Sequence, residues 1–162
     1  MDLNSGACFC IFKSDFSIKN YTNVRKLTKK YLDNLTFEIL GAAIEVHKIL
    51  GPGLIESDYE ESFLVELELC GLNAVSQKTV ERNYKGHKLT GKLRFDVLVK
   101  DLIVVELKAV KKVLPIHEAI TMSYMKHLKV PKGILINFNV TNIFYKGQKT
   151  FVNEYYAQLP DE

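Results

Sequence analysis

A mixed α/β fold, helices packed on a mixed sheet, is predicted by three features of this 162-residue chain. Apolar residues recur at helical spacing through 35–50 and 56–71, then alternate with polar ones through 75–110. A proline-led helical segment follows, and behind it a strongly apolar run at 133–140.

The elements follow in order. Residues 1–30 are rich in lysine, serine and asparagine without a sustained period, and read as an N-terminal extension, partly ordered at best, before a domain spanning 31–162. In 35–50, Ile39, Leu40, Ala43, Val46 and Leu50 suit a helix that Gly51-Pro52-Gly53 stops. In 56–71, Tyr59, Phe63 and Leu67 line one helical face, Ser57 and Glu60 have capping-box spacing, and Gly71 ends the run. Residues 75–85 alternate as a strand with a polar face, Lys85-Gly86-His87 turns the chain, and strands follow at 93–99 and 102–110. Pro115 opens a helix, Pro131 precedes the strand at 133–140, and 143–152 reads as a late hairpin with a Lys-Gly turn.

Composition narrows the function classes. With 47% apolar and 25% charged residues, wholesale disorder is not expected. A net charge of +3 permits a polyanionic partner without demanding one. Cys8, Cys10 and Cys70 cannot all pair and form no zinc-binding pattern, which suits a reducing, cytoplasmic setting. The N-terminus lacks signal-peptide character and no apolar run has membrane-spanning length, so no membrane partner is expected. A homodimer is left open.

The chemistry concentrates in RFDVLVKDLIVVELKAV, residues 94–110. Leu93, Phe95, Val97 and Val99 share one face of the first strand by alternation, and Ile103, Val105, Leu107 and Ala109 one face of the second. Turning both sets to one core pairs Phe95 with Leu107 and Val97 with Val105, which sets Asp96 opposite Glu106 on the other face. Lys108 then falls two residues along, beside Arg94. A polar face is ordinarily a wet one. Here Leu98, Leu102, Val104 and Val110 share it, which predicts partial cover by a helix. Two carboxylates about 4 Å apart repel by roughly 4 kcal/mol at an effective dielectric of 20. One lysine offsets part of that, and a hard divalent cation, Mg²⁺ or Mn²⁺, would turn the repulsion into ligation.

These residues carry a resemblance. D-x9-E-x-K, here Asp96, Glu106 and Lys108, resembles the core motif of the PD-(D/E)xK nuclease superfamily. Gly53-Leu-Ile-Glu56-Ser-Asp-Tyr59 resembles the signature of its GxxExxY family, as do the words GAAIEVHKILGPGL, VVELKAV and GILINF, over roughly residues 35–140. The resemblance implies a three-layer α/β/α, restriction-endonuclease-like core. Its mixed four-stranded sheet would have extra C-terminal strands and flanking helices. It implies a metal-dependent nuclease that hydrolyses phosphodiester bonds, with nucleic acid, DNA above all, as partner and Mg²⁺ or Mn²⁺ as cofactor. Carried over, Asp96 and Glu106 are catalytic metal ligands, with the Leu107 carbonyl a further candidate. Lys108 positions or deprotonates water and offsets charge on the phosphate. Glu56 resembles the helix glutamate that completes such sites, although an acid there also suits a helix N-terminus.

Other residues carry less. Tyr59 reads as core, and His47 and His117 as structural, with a substrate contact open for His117. His87 and His127 read as exposed. Lys111, Lys112 and Tyr124 are candidate nucleic-acid contacts, though a charge run is usually a solvated edge. One position departs from the family pattern: Ile120 stands where relatives commonly carry glutamine, four residues before the retained Tyr124. That departure motivates the alternative of a catalytically degenerate nuclease fold that binds nucleic acid or protein. A purely structural role leaves the Asp96–Glu106–Lys108 cluster unexplained.

Overall fold

The computed structural model describes residues 27–162. Helix α1 (Lys29–Leu50) starts earlier than its periodicity suggests, because the Thr28 hydroxyl caps it by accepting from the Tyr31 N–H at 3.1 Å. The expected extension thus gives Lys29 and Lys30 to the helix, and residues 1–26, with Cys8 and Cys10, lie outside the described residues. Leu32, Leu35, Ile39, Ala42, Ala43 and Val46 form its buried stripe. Gly51 at φ 69° and Gly53 at φ 107°, conformations that side chains disfavour, then turn the chain into α2 (Glu56–Leu69). The capping box expected from Ser57 and Glu60 does not form: Ile55 occupies the cap, and the Glu60 carboxylate accepts from Gln77 instead. Gly71, at φ 71°, closes the helix as expected, with Leu72 N–H donating to the Leu67 carbonyl at 2.9 Å.

Two predicted strands are each broken. Residues 75–85 divide at Gln77 (φ 55°) into β1 (Ala74–Ser76) and β2 (Thr79–Tyr84). Residues 93–99 divide at Phe95-Asp96 into β3 (His87–Arg94) and β4 (Val97–Val99). β2 and β3 leave the main sheet and pair with each other as an antiparallel ribbon through the expected turn at Lys85-Gly86. β5 (Ile103–Lys108), α3 (Pro115–Leu128) and β6 (Lys132–Asn137) follow as a parallel crossover unit. The late hairpin is replaced by a π-helical turn (Ile143–Gly147) and one strand, β7 (Gln148–Val152), antiparallel to β6. The Asn142 side chain, accepting from Tyr145 N–H at 3.1 Å, coils the chain there. A short helix, α4 (Glu154–Ala157), ends the order. The sheet runs β1-β4-β5-β6-β7, mixed in direction, with β5 at its centre.

Helices cover both sides. On one, α1 and α2 pack on Val97, Val99, Ile103, Val105, Leu107, Ile134 and Ile136. On the other, Met125 of α3 and Val130 pack with Phe95, Leu98 and Val104. This is the expected three-layer arrangement with one C-terminal strand added. Phe95 corrects the predicted register. The break turns it to the α3 side, away from Val97, while the Val97–Val105 pair forms as predicted. No described helix is long and apolar enough to cross a membrane.

One buried hydroxyl fixes the approach to α2. Tyr59 is fully buried, stacked on Phe138 with ring centroids 4.4 Å apart. Its hydroxyl donates to the Gly51 carbonyl at 2.6 Å and accepts from Leu54 N–H at 3.2 Å, so it holds the turn that presents Glu56. Tyr59→Phe leaves both backbone groups short of a partner. We expect it to lower unfolding free energy by about 1–2 kcal/mol in urea titration without changing the slope.

Candidate active site

Three carboxylates meet one ammonium at the end of β5. Alternation along this strand sends Ile103, Val105 and Leu107 into the α1–α2 side, and turns Glu106 and Lys108 the other way with Val104. Asp96 sits in the bend before β4, its Oδ2 accepting from Leu107 N–H at 2.8 Å. That bond does what a cross-strand backbone bond would do, so the break in the strand aims the carboxylate at β5. Glu56, first residue of α2, arrives from the opposite layer and accepts from Ala109 N–H at 3.3 Å. Lys108 Nζ lies 2.7 Å from Glu106 Oε1, 3.7 Å from Glu56 Oε2 and 4.0 Å from Asp96 Oδ2. It also donates to the Leu107 carbonyl at 2.7 Å, the oxygen considered above as a further ligand.

Burial sets the electrostatics. Glu106 is 4% exposed; burial first, and the Asp96 charge second, push its carboxyl up to about 7. Asp96 is raised by burial, against the pull of the Leu107 N–H and Lys108. Burial also works against the Lys108 ammonium, but the hydrogen bond to Glu106 and the charges of Glu106, Asp96 and Glu56 outweigh it and leave its pKa above the ordinary lysine value. Glu106 Oε2 is buried without a hydrogen-bond partner among the described residues.

Of the remaining predicted residues, Tyr124 lies beside this cluster. The Tyr124 hydroxyl donates to the Arg94 carbonyl at 2.7 Å, and burial, then Glu106 and Asp96, raise its pKa, so the ring borders the acids. Lys111 and Lys112 are exposed on the segment leaving β5. Ile120 is half-buried on α3. His117 accepts from Leu114 N–H through Nδ1, and His47 Nε2 lies 2.8 Å from the Val140 carbonyl; both fit structural roles.

Sequence reasoning missed the groups that hold the cluster. Gln77 N–H donates to the Asp96 carbonyl at 3.0 Å, while its side chain bridges Glu60 and Arg94. Asn137, buried at the end of β6, accepts from Val110 N–H at 3.0 Å and donates to the Val110 carbonyl at 2.8 Å, tying down the chain after Lys108. A signal for Gln77 existed: Val75 and Val80 are out of phase for a single strand.

The donor set suits a hard divalent cation in kind: Asp96, Glu106 and Glu56 offer carboxylate oxygens, and among the described residues no hydrogen bond reaches the buried Glu106 Oε2. Among the described residues no three acidic, histidine or cysteine side chains stand in metal-binding geometry, and the ammonium of Lys108 lies within reach of all three acids.

A mixed central sheet lies between helical layers, with Glu106 and Lys108 on β5 and Asp96 in the bend before β4, an arrangement consistent with a nuclease-type fold. Residues 33–150 match the PD-(D/E)XK nuclease superfamily, and the chain belongs to it. No curated protein matches. A solved structure, "Crystal structure of SSO0001", aligns over 77% of this chain at 19% identity with a TM-score of 0.46. This chain spans 61% of that one's length.

The raised Glu106 carboxyl makes stability depend on pH. The folded protein keeps this proton up to about 7, whereas the unfolded chain loses it near 4.5. The folded state therefore holds the extra proton between those values, and the contribution is lost as pH rises through the window. In chelator, urea melts of the wild type should lose up to about 3 kcal/mol across it, since one pKa unit is about 1.4 kcal/mol. Glu106→Gln should flatten that slope; a slope unchanged in the variant would assign it to another group.

Proposed function

We propose that the chain is a metal-dependent nuclease that hydrolyses phosphodiester bonds in DNA, of the GxxExxY type within its superfamily. The observation that carries this reading is the Lys108 ammonium, 2.7 Å from a buried glutamate whose second oxygen has no hydrogen-bond partner among the described residues, with Asp96 and Glu56 alongside. Asp96, Glu106 and Glu56 would hold Mg²⁺ or Mn²⁺. When bound, such a cation supplies Lewis-acid polarisation of a phosphate oxygen and a water of lowered pKa.

The chain's own residues do the rest. Leu107 N–H fixes Asp96 so that its carboxylate costs no reorganisation. Lys108, held by Glu106 and the Leu107 carbonyl, keeps one positive charge where negative charge grows on the phosphate. Its raised pKa makes it a charge stabiliser and orienter of water at neutral pH rather than a base. Gln77 and Tyr124 fix the bend that carries Asp96. Tyr59 and Asn137 fix the chain on either side, at Glu56 and beyond Lys108.

Two measurements test this. Mn²⁺ should raise the melting temperature of the wild type by several degrees and leave Asp96→Ala unmoved, because a ligand bound to the native state alone shifts unfolding by mass action. Equal shifts would put the ion elsewhere. Lys108→Met should retain nucleic-acid binding yet lose roughly 10²–10³ in cleavage rate with Mn²⁺. Wild-type protein that binds but cleaves no nucleic acid with any divalent metal would instead favour the degenerate binding module, which Ile120 already suggests.

A further inference from the structure

Residues 78–94 carry six cations, Lys78, Arg82, Lys85, Lys88, Lys92 and Arg94, against one acid, Glu81. The segment is therefore net +5, while the whole chain is +3, so everything outside it is net −2. The fold lifts this charge out of the main sheet, since among the described residues β2 and β3 pair only with each other. Val80 roots the ribbon against Phe95 and the α3 side, and Arg82, Gly91 and Leu93 are also half-buried. From Asn83 to Thr90 every residue is exposed.

A two-stranded hairpin with nothing packed on it is marginally stable in water. Local devices stiffen this one. Lys85 (φ 49°) and Gly86 (φ 86°) give both central residues the positive φ of a tight hairpin turn, and Asn83 Oδ1 accepts from Gly86 N–H at 2.7 Å. Arg82 reaches across the ribbon and donates from Nε to the Gly91 carbonyl at 3.0 Å. A Cβ on Gly91 would meet the Arg82 guanidinium, so a side chain there would push the brace aside. At the root, Arg94 ends β3 two residues before Asp96, its carbonyl held by Tyr124.

We propose that the β2–β3 ribbon is a docking arm for B-form duplex DNA, entering the major groove and laying its lysines along the phosphates. What the arm delivers DNA to rests on the nuclease reading above; the binding itself does not. A two-stranded ribbon fits the major groove of B-DNA. The corresponding groove of duplex RNA is too narrow for side-chain readout. Binding of single strands relies on aromatic side chains for successive bases, and the ribbon exposes one, Tyr84. The eight residues of β3 extend about 26 Å at about 3.3 Å each, roughly eight base-pair steps. The net negative charge of the remaining chain leaves the ribbon as the principal attractor of a polyanion.

The test reads binding in the cleavage-impaired Glu106→Gln background, so that a failed arm and a failed nuclease give different results. Lys85→Gln, Lys88→Gln and Lys92→Gln are combined, all at exposed positions where the one ion pair lost, Lys88–Glu81, is a surface contact. We expect affinity for labelled duplex DNA to fall at least tenfold and the log–log salt dependence to flatten by about 2.7, or about 0.9 per phosphate contact. Affinity for single-stranded DNA and duplex RNA should change far less. A control combining Lys48→Gln, Lys100→Gln and Lys146→Gln removes the same charge elsewhere and should leave duplex binding near wild type. Equal loss in the control, equal loss for single strands, or a polyglutamate peptide bound as tightly as the duplex and equally dependent on the ribbon would each overturn the proposal.

Discussion

The site depends on one ammonium set among acids that repel each other. Lys108 lies 2.7 Å from Glu106, with Asp96 and Glu56 within 4.0 Å, and its charge makes that crowding tolerable. Much of the surrounding architecture serves this meeting. β5 brings Glu106 and Lys108 on alternate residues, the broken strand swings Asp96 onto the Leu107 N–H, and the Tyr59-pinned turn delivers Glu56. A glutamate that holds its proton to about 7 is the cost of burying it there, with the neighbouring Asp96 charge adding to the effect.

The parts of the fold visible in the sequence were those set by periodicity. The helix at Pro115–Leu128 and the Val97–Val105 pair needed only spacing to be found. The strand breaks were hidden for a physical reason. Phe95 is apolar and in phase with Leu93 and Val97, so alternation ran smoothly through a bend that turns Phe95 onto the other layer. A hydrophobic residue can satisfy either face of a sheet buried on both, and phase then says nothing about which. The capping box failed similarly: Glu60 had the right spacing, but Gln77, seventeen residues on, competed for it.

The candidate site was legible where its charges interrupt apolar runs, at Asp96, Glu106 and Lys108. Its supports were not. Gln77 and Asn137 act through single hydrogen bonds to backbone groups across the fold, and polar residues at strand ends are too common to announce such a task. The site therefore reads as a short motif, whereas its rigidity comes from residues scattered over sixty positions from Gln77 to Asn137.

Two segments far apart in sequence also meet at one edge of the fold. Lys29 N–H donates to the Pro160 carbonyl at 2.8 Å, Lys30 N–H to the Asp161 carbonyl at 3.2 Å, and both lysines pair with the final acids. The start of α1 and residues 160–162 therefore lie side by side. A short link across that contact would let the chain be reopened at an exposed turn without disturbing a layer of its core. Its wiring is a loop rather than a line.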